Sequence, residues 1–338
     1  MRRLPWIITT LLALAALTWG ISQARHAAPS PLTRDAATER LMELGDLLSA
    51  AIENERDASP LLEHVLKIVK QHPTLHIAHQ LEGQIHLQIN HIDDAYAAFD
   101  RALTIQPINA ELHNLAGTAA MMRDDFAAGE THFRQAVAQT PSKSYFHLLL
   151  GDVLLKTNQL DEAEKQFNQT LSLKLMEHQA NASLGDVFAS RAQAASDPSE
   201  QAQWFQQAIN QVETALAKLP SDDKPETLFA RTAYARKLAR HYHHRGNPTE
   251  ALALLHALPE DDRFNPDVLA EMATYLNALG QPIVAAVQYE AAAQRSPDNP
   301  DLLVQAARWY QQAGDTQAAQ LMTEHLVKKW PNHPDAKK

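Results

Sequence analysis

The sequence predicts an all-α fold, a right-handed α-solenoid of about eight helix hairpins that follow an N-terminal hydrophobic segment. First, landmark residues recur every 34 residues, a length typical of one helix–turn–helix unit. Second, the 338 residues include only 10 glycines, and eight of these fall on the landmarks. Third, 45% of the residues are hydrophobic and none is cysteine, so a core can form without disulfides or thiolate-bound metals.

Residues 1–24 are expected to be a signal peptide or a transmembrane anchor. Arg2 and Arg3 precede an uncharged run at 4–21, whose 18 residues lie near the lower limit for a membrane-spanning helix. The small residues Ser22 and Ala24 also fit a signal cleavage site, so both interpretations stay open. Either one places the rest of the chain on the periplasmic side of a membrane. Residues 25–41 are expected to form a tether.

The repeated unit is defined by small residues, an aromatic residue and a closing proline. Small residues let the two helices of a hairpin approach closely, and the aromatic ring fills the space towards the next hairpin. Proline ends the second helix because it cannot continue it. The residues that keep the 34-residue step are Gly83, Gly117, Gly151 and Gly185, then Ala95, Gly129 and Ala163, then Phe99, Phe133 and Phe167, and finally Pro107 and Pro141.

The same frame extends over most of the chain and divides it into two blocks. The first block, 42–222, holds five units, and its fifth unit contains an insertion at 190–200. The second block, 223–338, holds three units and a polar tail. The insertion and the stretch from Ser221 to Thr227 are expected to let the array bend between the blocks.

Over residues 42–333 the pattern resembles the tetratricopeptide repeat (TPR) family, and the chain looks like the exported or membrane-anchored TPR scaffolds of bacterial envelopes. The resemblance implies that the first helix of each hairpin, the A helix, lines a concave groove that binds an extended peptide or a helix. The family's clamp for carboxylate tails needs basic partners, which this groove lacks. The implied groove residues are Gln80, Gln84, Asn114, Thr118, Tyr145, Leu148, Asp152, Asp186, Arg236, Arg240, His243, His244, Thr274, Val304 and Arg308.

A basic and histidine-rich strip falls on one predicted helix at 231–245. It consists of Arg231, Arg236, Lys237, Arg240 and Arg245, with His241, His243 and His244. One interpretation is a binding site for an acidic peptide, a carboxylate terminus or an acidic polysaccharide. The alternative is a solvated face that pairs with acidic residues nearby in the sequence. Those acidic residues are Asp222, Asp223, Glu226 and Glu250.

Histidine also recurs with the repeat, at His79, His113 and His147. Neighbouring helices pack about 8–10 Å apart, too far for one metal ion to bond directly to successive histidines. We therefore expect partly buried packing residues that acid would charge and loosen. No metal and no cofactor is predicted.

The function predicted from the sequence is a non-catalytic protein–protein interaction scaffold. The sequence lacks the motifs of serine hydrolases, zinc proteases, P-loop enzymes and dinucleotide-binding enzymes. Its net charge of −10 argues against nucleic-acid binding. By resemblance, the partners are envelope proteins, in an export or biogenesis machine of the exopolysaccharide-secretion or cytochrome c maturation type. Missing cysteines argue against the lipopolysaccharide-control and lipid-anchored pilotin branches. The alternative is a module that senses an anion, a metal or pH through the strip at 231–245.

Overall fold

A computed structural model describes residues 32–337 of the chain. The expected signal peptide or anchor at 1–24, and the part of the tether before residue 32, lie outside the described residues. Within the described range, no helix combines the length and the apolar character needed to cross a membrane.

The residues from 32 to 337 fold into helices joined by short turns, and no strand occurs among them. In chain order the helices are α1 (Arg34–Glu53), α2 (Ser59–Gln71), α3 (His76–Gln88), α4 (Ile92–Ile105), α5 (Ala110–Met122), α6 (Phe126–Gln139), α7 (Ser144–Lys156), α8 (Leu160–Ser172), α9 (Glu177–Ala194), α10 (Pro198–Ala217), α11 (Pro225–His244), α12 (Pro248–His256), α13 (Glu260–Arg263), α14 (Pro266–Ala278), α15 (Pro282–Arg295), α16 (Pro300–Gln312) and α17 (Thr316–Lys329), followed by a short 3₁₀ helix (Pro334–Lys337).

Apart from the four-residue α13, these helices follow one another as eight hairpins, from α1–α2 to α16–α17. The predicted fold class, an all-α solenoid of about eight helix hairpins, is confirmed. The chain divides into two compact units, Met1–Gln166 and Phe167–Lys338. This division differs from the block boundary expected after residue 222.

The insertion at 190–200, where a bend of the array is expected, does not form a long loop. It lengthens both helices of its hairpin, so that α9 has 18 residues and α10 has 20. Ala192 and Phe205 of the extended portions are buried. The Asp197 side chain caps α10 by accepting a hydrogen bond from the backbone N–H of Glu200 at 3.1 Å. Only residues 195–197 separate the two helices.

The first hairpin begins before the expected position, because α1 starts at Arg34 and the tether was expected to run to residue 41. The Thr33 hydroxyl caps α1 by accepting a hydrogen bond from the N–H of Ala36 at 3.3 Å. Leu41, Leu44 and Leu48 are buried along one side of the helix. Their spacing of three and four residues gives α1 a face that needs a packing partner.

Small residues let the helices approach at the predicted places. A Cβ built on Gly83 would lie 2.5 Å from the Phe99 ring, and one on Gly117 would lie 2.8 Å from the Phe133 ring. Both phenylalanines are fully buried. The glycines therefore provide the space that the aromatic rings of the same hairpin occupy, which corrects the expectation that each ring fills the space towards the next hairpin.

Except in the α9–α10 hairpin, the turn between the two helices of a hairpin uses a left-handed backbone conformation. In unit Phe167–Lys338 glycine supplies it, whereas in unit Met1–Gln166 it is supplied by Glu55 in the first hairpin and by asparagine or aspartate in the others. Short polar side chains tolerate this conformation better than others because they hydrogen-bond locally. The residues are Gly246, Gly280 and Gly314, with φ of 73 to 88°, and Asn90, Asp124 and Asn158, with φ of 60 to 62°.

Candidate binding surface

Three glutamines line one face of α3. Gln80, Gln84 and Gln88 follow at four-residue spacing, which places them one above the other on a helix. All three are half-buried. Gln80 and Gln84 make no hydrogen bond with any described residue, and the Gln88 Oε1 atom is buried without a partner. This amide row therefore has unused donors and acceptors.

The equivalent groove positions on α5 and α7 are more enclosed. Asn114 is 1% exposed, and Thr118 and Leu148 are also buried, so these three contribute mainly to packing. The Thr118 hydroxyl donates to the carbonyl of Asn114 at 3.0 Å, while the Asn114 Oδ1 atom has no partner within residues 32–337. Tyr145 and Asp152 are half-buried. Only part of the predicted groove in unit Met1–Gln166 is thus accessible.

In unit Phe167–Lys338 the basic strip lies on α11, and two of its cations are paired. Arg236 donates to both carboxylate oxygens of Glu271 at 2.8 and 3.2 Å. Lys237 donates to Asp186 at 2.5 Å and to the carbonyl of Ala182 at 3.2 Å. These acids come from neighbouring helices.

The sequence-based alternative named the wrong pairing partners for the strip. Asp222 pairs with Lys224 at 3.2 Å and accepts from the Thr227 hydroxyl at 2.6 Å. Asp223, Glu226 and Glu250 make no ion pair with the strip among the described residues. Asp186 and Glu271 reach the strip because the helices that carry them pack against it. Asp186 is 51 residues from Lys237 and Glu271 is 35 residues from Arg236, so the sequence alone does not show that they are close in space.

Arg240 and Arg245 are exposed and make no ion pair in the part of the chain that the structure describes. Close to Arg240 in sequence, the His243 ring lies 4.7 Å from the Tyr275 ring, centroid to centroid. The His244 ring stacks on Phe205 at 5.6 Å. Both histidines therefore take part in aromatic packing beside a free guanidinium.

Burial sets the protonation of the strip's histidines. It lowers the pKa of His241 from 6.5 to about 4, because the imidazolium loses its hydration there. Burial also lowers the pKa values of His243 and His244. At neutral pH the strip's charge therefore comes from arginine and lysine.

The last predicted groove residues lie on α14 and α16. Thr274 is exposed, and its hydroxyl donates to the carbonyl of Ala270 at 3.0 Å. Arg308 is exposed and pairs with Asp335 at 3.6 Å, whereas Val304 is buried. No described contact joins these residues to the strip.

The repeated histidines have a structural role that the sequence reasoning missed. The Nε2 atoms of His79, His113 and His147 lie 3.0, 3.1 and 2.9 Å from a carbonyl oxygen six residues earlier. Each of these carbonyls belongs to the proline that closes the preceding hairpin. The sequence contained the signal as Pro-x₅-His, present three times at the 34-residue step. The partners are Pro73, Pro107 and Pro141.

One group of described residues has the spacing of a metal site. It consists of His86, His91 and Asp94, at the turn between α3 and α4. Sequence reasoning searched for metal ligands among histidines in equivalent repeat positions, and this group lies within a single repeat.

Comparison with known proteins agrees with this architecture. Family models described as tetratricopeptide repeat match residues 81–144 and 120–180. Residues 81–180 of the chain therefore carry tetratricopeptide repeats. No curated protein matches the chain significantly.

Solved TPR structures resemble the chain in fold at low sequence identity. A TPR protein from Parabacteroides merdae ATCC 43184 is 12% identical, with a TM-score of 0.60, and the match covers 79% of this chain and 99% of that one. A chain of the APC/C hetero-tetramer Cut9–Hcn1 is 17% identical, with a TM-score of 0.54. The match covers 82% of this chain, which spans half the length of that one. PilW, a type IV pilus biogenesis factor, is 16% identical, with a TM-score of 0.48. The match covers 78% of this chain and 97% of PilW.

TPR domains bind protein partners, and proteins of this fold are generally non-catalytic scaffolds. The repeats therefore indicate a protein–protein interaction scaffold.

Proposed function

We propose that this TPR protein binds an extended segment of a partner protein along α3, through the amide row Gln80, Gln84 and Gln88. The observation that carries the proposal is the unused hydrogen-bonding capacity of these half-buried amides. A polar group that is partly withdrawn from water costs free energy unless it finds a partner. A partner's backbone offers donors and acceptors in a regular row.

The chemistry of the amide row favours a neutral segment over an acidic tail. Each glutamine amide both donates and accepts, so it pairs with backbone N–H and C=O groups alike. The row itself contains no cation that would favour a carboxylate. Recognition would then depend on main-chain hydrogen bonds and on apolar side chains of the partner.

The test is site-specific photo-crosslinking in the cells that express the protein. A photoreactive amino acid replaces Gln84 in one variant and Gln135, an exposed glutamine on α6, in the control. We expect a discrete crosslinked protein, identified by mass spectrometry, from position 84 and none from position 135. Equal crosslinking from both positions, or none from position 84, contradicts the proposal.

For localisation, we propose an exported protein on the periplasmic side of a membrane, in an export or biogenesis machine of the exopolysaccharide-secretion or cytochrome c maturation type. The support is in the sequence, where Arg2 and Arg3 precede the apolar run at 4–21. Cell fractionation and mass spectrometry of the N-terminus test it. We expect either cleavage after Ala24 or an intact chain in the membrane fraction, and an intact chain in the cytoplasm contradicts the proposal.

The anion-binding alternative keeps one specific support, the free guanidinium of Arg240. Arg240→Glu reverses that charge without breaking an ion pair among the described residues, whereas reversal of Arg236 would also break its pair with Glu271. Arg56→Glu, at an exposed arginine outside the strip that makes no ion pair among the described residues, is the matched control. Anion binding through the strip predicts weaker partner capture in Arg240→Glu alone, and equal capture by both variants contradicts it.

A further inference from the structure

We propose that the turn between α3 and α4 binds a divalent transition-metal ion of the zinc class through His86, His91 and Asp94. One potential ligand atom from each of these residues lies within 4.8 Å of the other two. The proposal concerns a site separate from the amide row and does not depend on the proposed function.

The backbone of the turn fixes the two histidines beside each other. The N–H of His91 donates to the carbonyl of His86 at 2.8 Å, and Asn90 between them has a left-handed φ of 62°. The two imidazole rings stack with centroids 5.8 Å apart and an interplanar angle of 26°. Asp94 follows in the first turn of α4. The ligand geometry thus depends on one short stretch of chain.

The buried histidine has an unused nitrogen. His86 is 8% exposed, and its Nδ1 atom is buried with no hydrogen-bond partner among the described residues. Buried side-chain nitrogens nearly always have a partner, so an orphan one calls for a ligand. Glu82, one turn earlier on α3, does not serve because it is engaged by His79 at 3.1 Å and by Arg101 at 2.9 Å.

The other two ligands are exposed and free to adjust. The side chains of His91 and Asp94 are 58% and 66% exposed, and their nearest ligand atoms lie 3.9 Å apart. Bonds of about 2.1 Å to one tetrahedral ion require ligand atoms about 3.4 Å apart. Small rotations of these two exposed side chains bring them to that separation, while the buried ring of His86 stays fixed.

The donor set selects the class of ion. Two imidazole nitrogens with one carboxylate suit Zn²⁺, Ni²⁺, Co²⁺ or Cu²⁺, whereas Mg²⁺ and Ca²⁺ prefer sites built from oxygen. Three protein ligands leave one tetrahedral position for water or for a group of another molecule.

The test uses the full-length protein, stripped with a chelator and titrated calorimetrically with Zn²⁺ alone. His91→Gln and Asp94→Asn each remove one exposed ligand. The matched controls are His64→Gln, an exposed histidine on α2, and Asp93→Asn, the exposed acid next to the site. We expect the two ligand variants to lose one molar equivalent of bound Zn²⁺ and the controls to retain it.

Two further measurements complete the test. Zn²⁺ should raise the melting temperature of the wild type and of Asp93→Asn but not of Asp94→Asn, because an ion that binds only the folded state stabilises it. Circular dichroism should show wild-type helix content in both ligand variants. Equal Zn²⁺ binding by ligand variants and controls, no binding by the wild type, or displacement of Zn²⁺ by equimolar Mg²⁺ would overturn the proposal.

Discussion

At the scale of single residues, three histidines repeat the same contact from one hairpin to the next. A proline that closes a helix leaves a carbonyl without a helical partner nearby, and the histidine six residues later donates to it. His113 also contacts His132 at 3.1 Å, which contacts the Tyr96 hydroxyl at 3.3 Å. Because a carbonyl only accepts, His113 donates to it through Nε2. Its Nδ1 atom then accepts from Nδ1 of His132, and Nε2 of His132 accepts from the Tyr96 hydroxyl, so the hydrogen bonds form a chain.

The substitution His147→Phe tests this contact. Phenylalanine keeps the ring volume but loses the bonds to the Pro141 carbonyl at 2.9 Å and to the Gln166 amide at 2.7 Å. We expect the free energy of unfolding to fall by about 1–3 kcal/mol, since a buried acceptor is left unpaired. Urea denaturation measures it, with exposed His64→Phe as the control. Equal effects of the two substitutions would show that the histidine acts only by filling space.

His241 predicts how stability depends on pH. Because burial lowers its pKa to about 4 from 6.5, the unfolded chain binds this proton more readily than the folded one. The free energy of unfolding therefore falls as the pH drops from 6.5 towards 4, by roughly 3 kcal/mol for such a shift. We expect His241→Gln to flatten the dependence measured by urea denaturation between pH 4.5 and 7. An unchanged slope would contradict this, and His64→Gln serves as the control.

At the scale of helices, the close approach within a hairpin decides which glycines can be replaced. Gly83 lies against the buried ring of Phe99, whereas a Cβ on Gly45 of α1 would meet nothing within 4 Å. Both glycines are helical, so alanine offers each the same gain in helix propensity. Only the space available distinguishes the two sites.

We expect Gly83→Ala to lower the free energy of unfolding by about 1–3 kcal/mol, because the Phe99 ring must move. Gly45→Ala should raise it by up to about 1 kcal/mol. Thermal and urea denaturation show whether each substitution raises or lowers the free energy of unfolding. Destabilisation by both, or stabilisation by both, would contradict the role assigned to the close approach.

Helix length also shows what pattern reading could and could not provide. The 34-residue landmarks predicted the hairpins, their small contact residues and their order. The landmarks did not show that residues 190–194 and 198–200 are helical, because an insertion has no counterpart in the other units to compare. The helix that replaces the end of the expected tether was missed for a similar reason. Its residues from Arg34 onwards belong to α1, and the apolar face of α1 is recognised only once the helices that bury it are in place.

At the scale of the whole molecule, the continuity of α9 and α10 predicts where a protease cuts. Residues 218–224 form a longer and largely exposed connection, whereas 190–200 is helical apart from residues 195–197. Cleavage needs a segment that can unfold locally. We expect a broad-specificity protease at low concentration to cut first within 218–224, as read by mass spectrometry of the fragments. A first cut within 190–200 would contradict this expectation and would support a flexible bend at that position.

The groove residues illustrate the same division between sequence and structure. The repeat frame assigned Gln80 and Asn114 to equivalent places, but one is half-buried with a free amide and the other is almost completely buried. The neighbours of each position decide this difference, and they vary from repeat to repeat. The concave groove itself stays a prediction, as does the loosening of the repeated histidines by acid.

The sequence by itself determined the repeat architecture, the hairpin order and the interaction-scaffold class of function, because each depends on residue types at a constant spacing along the chain. The tertiary structure alone decided which charges are paired, and which amides and histidine nitrogens lack a partner among the described residues. Arg236 meets Glu271 and Lys237 meets Asp186 only after helices distant in sequence have stacked. Spacing within a repeat is a local property, whereas pairing and burial depend on distances that packing creates.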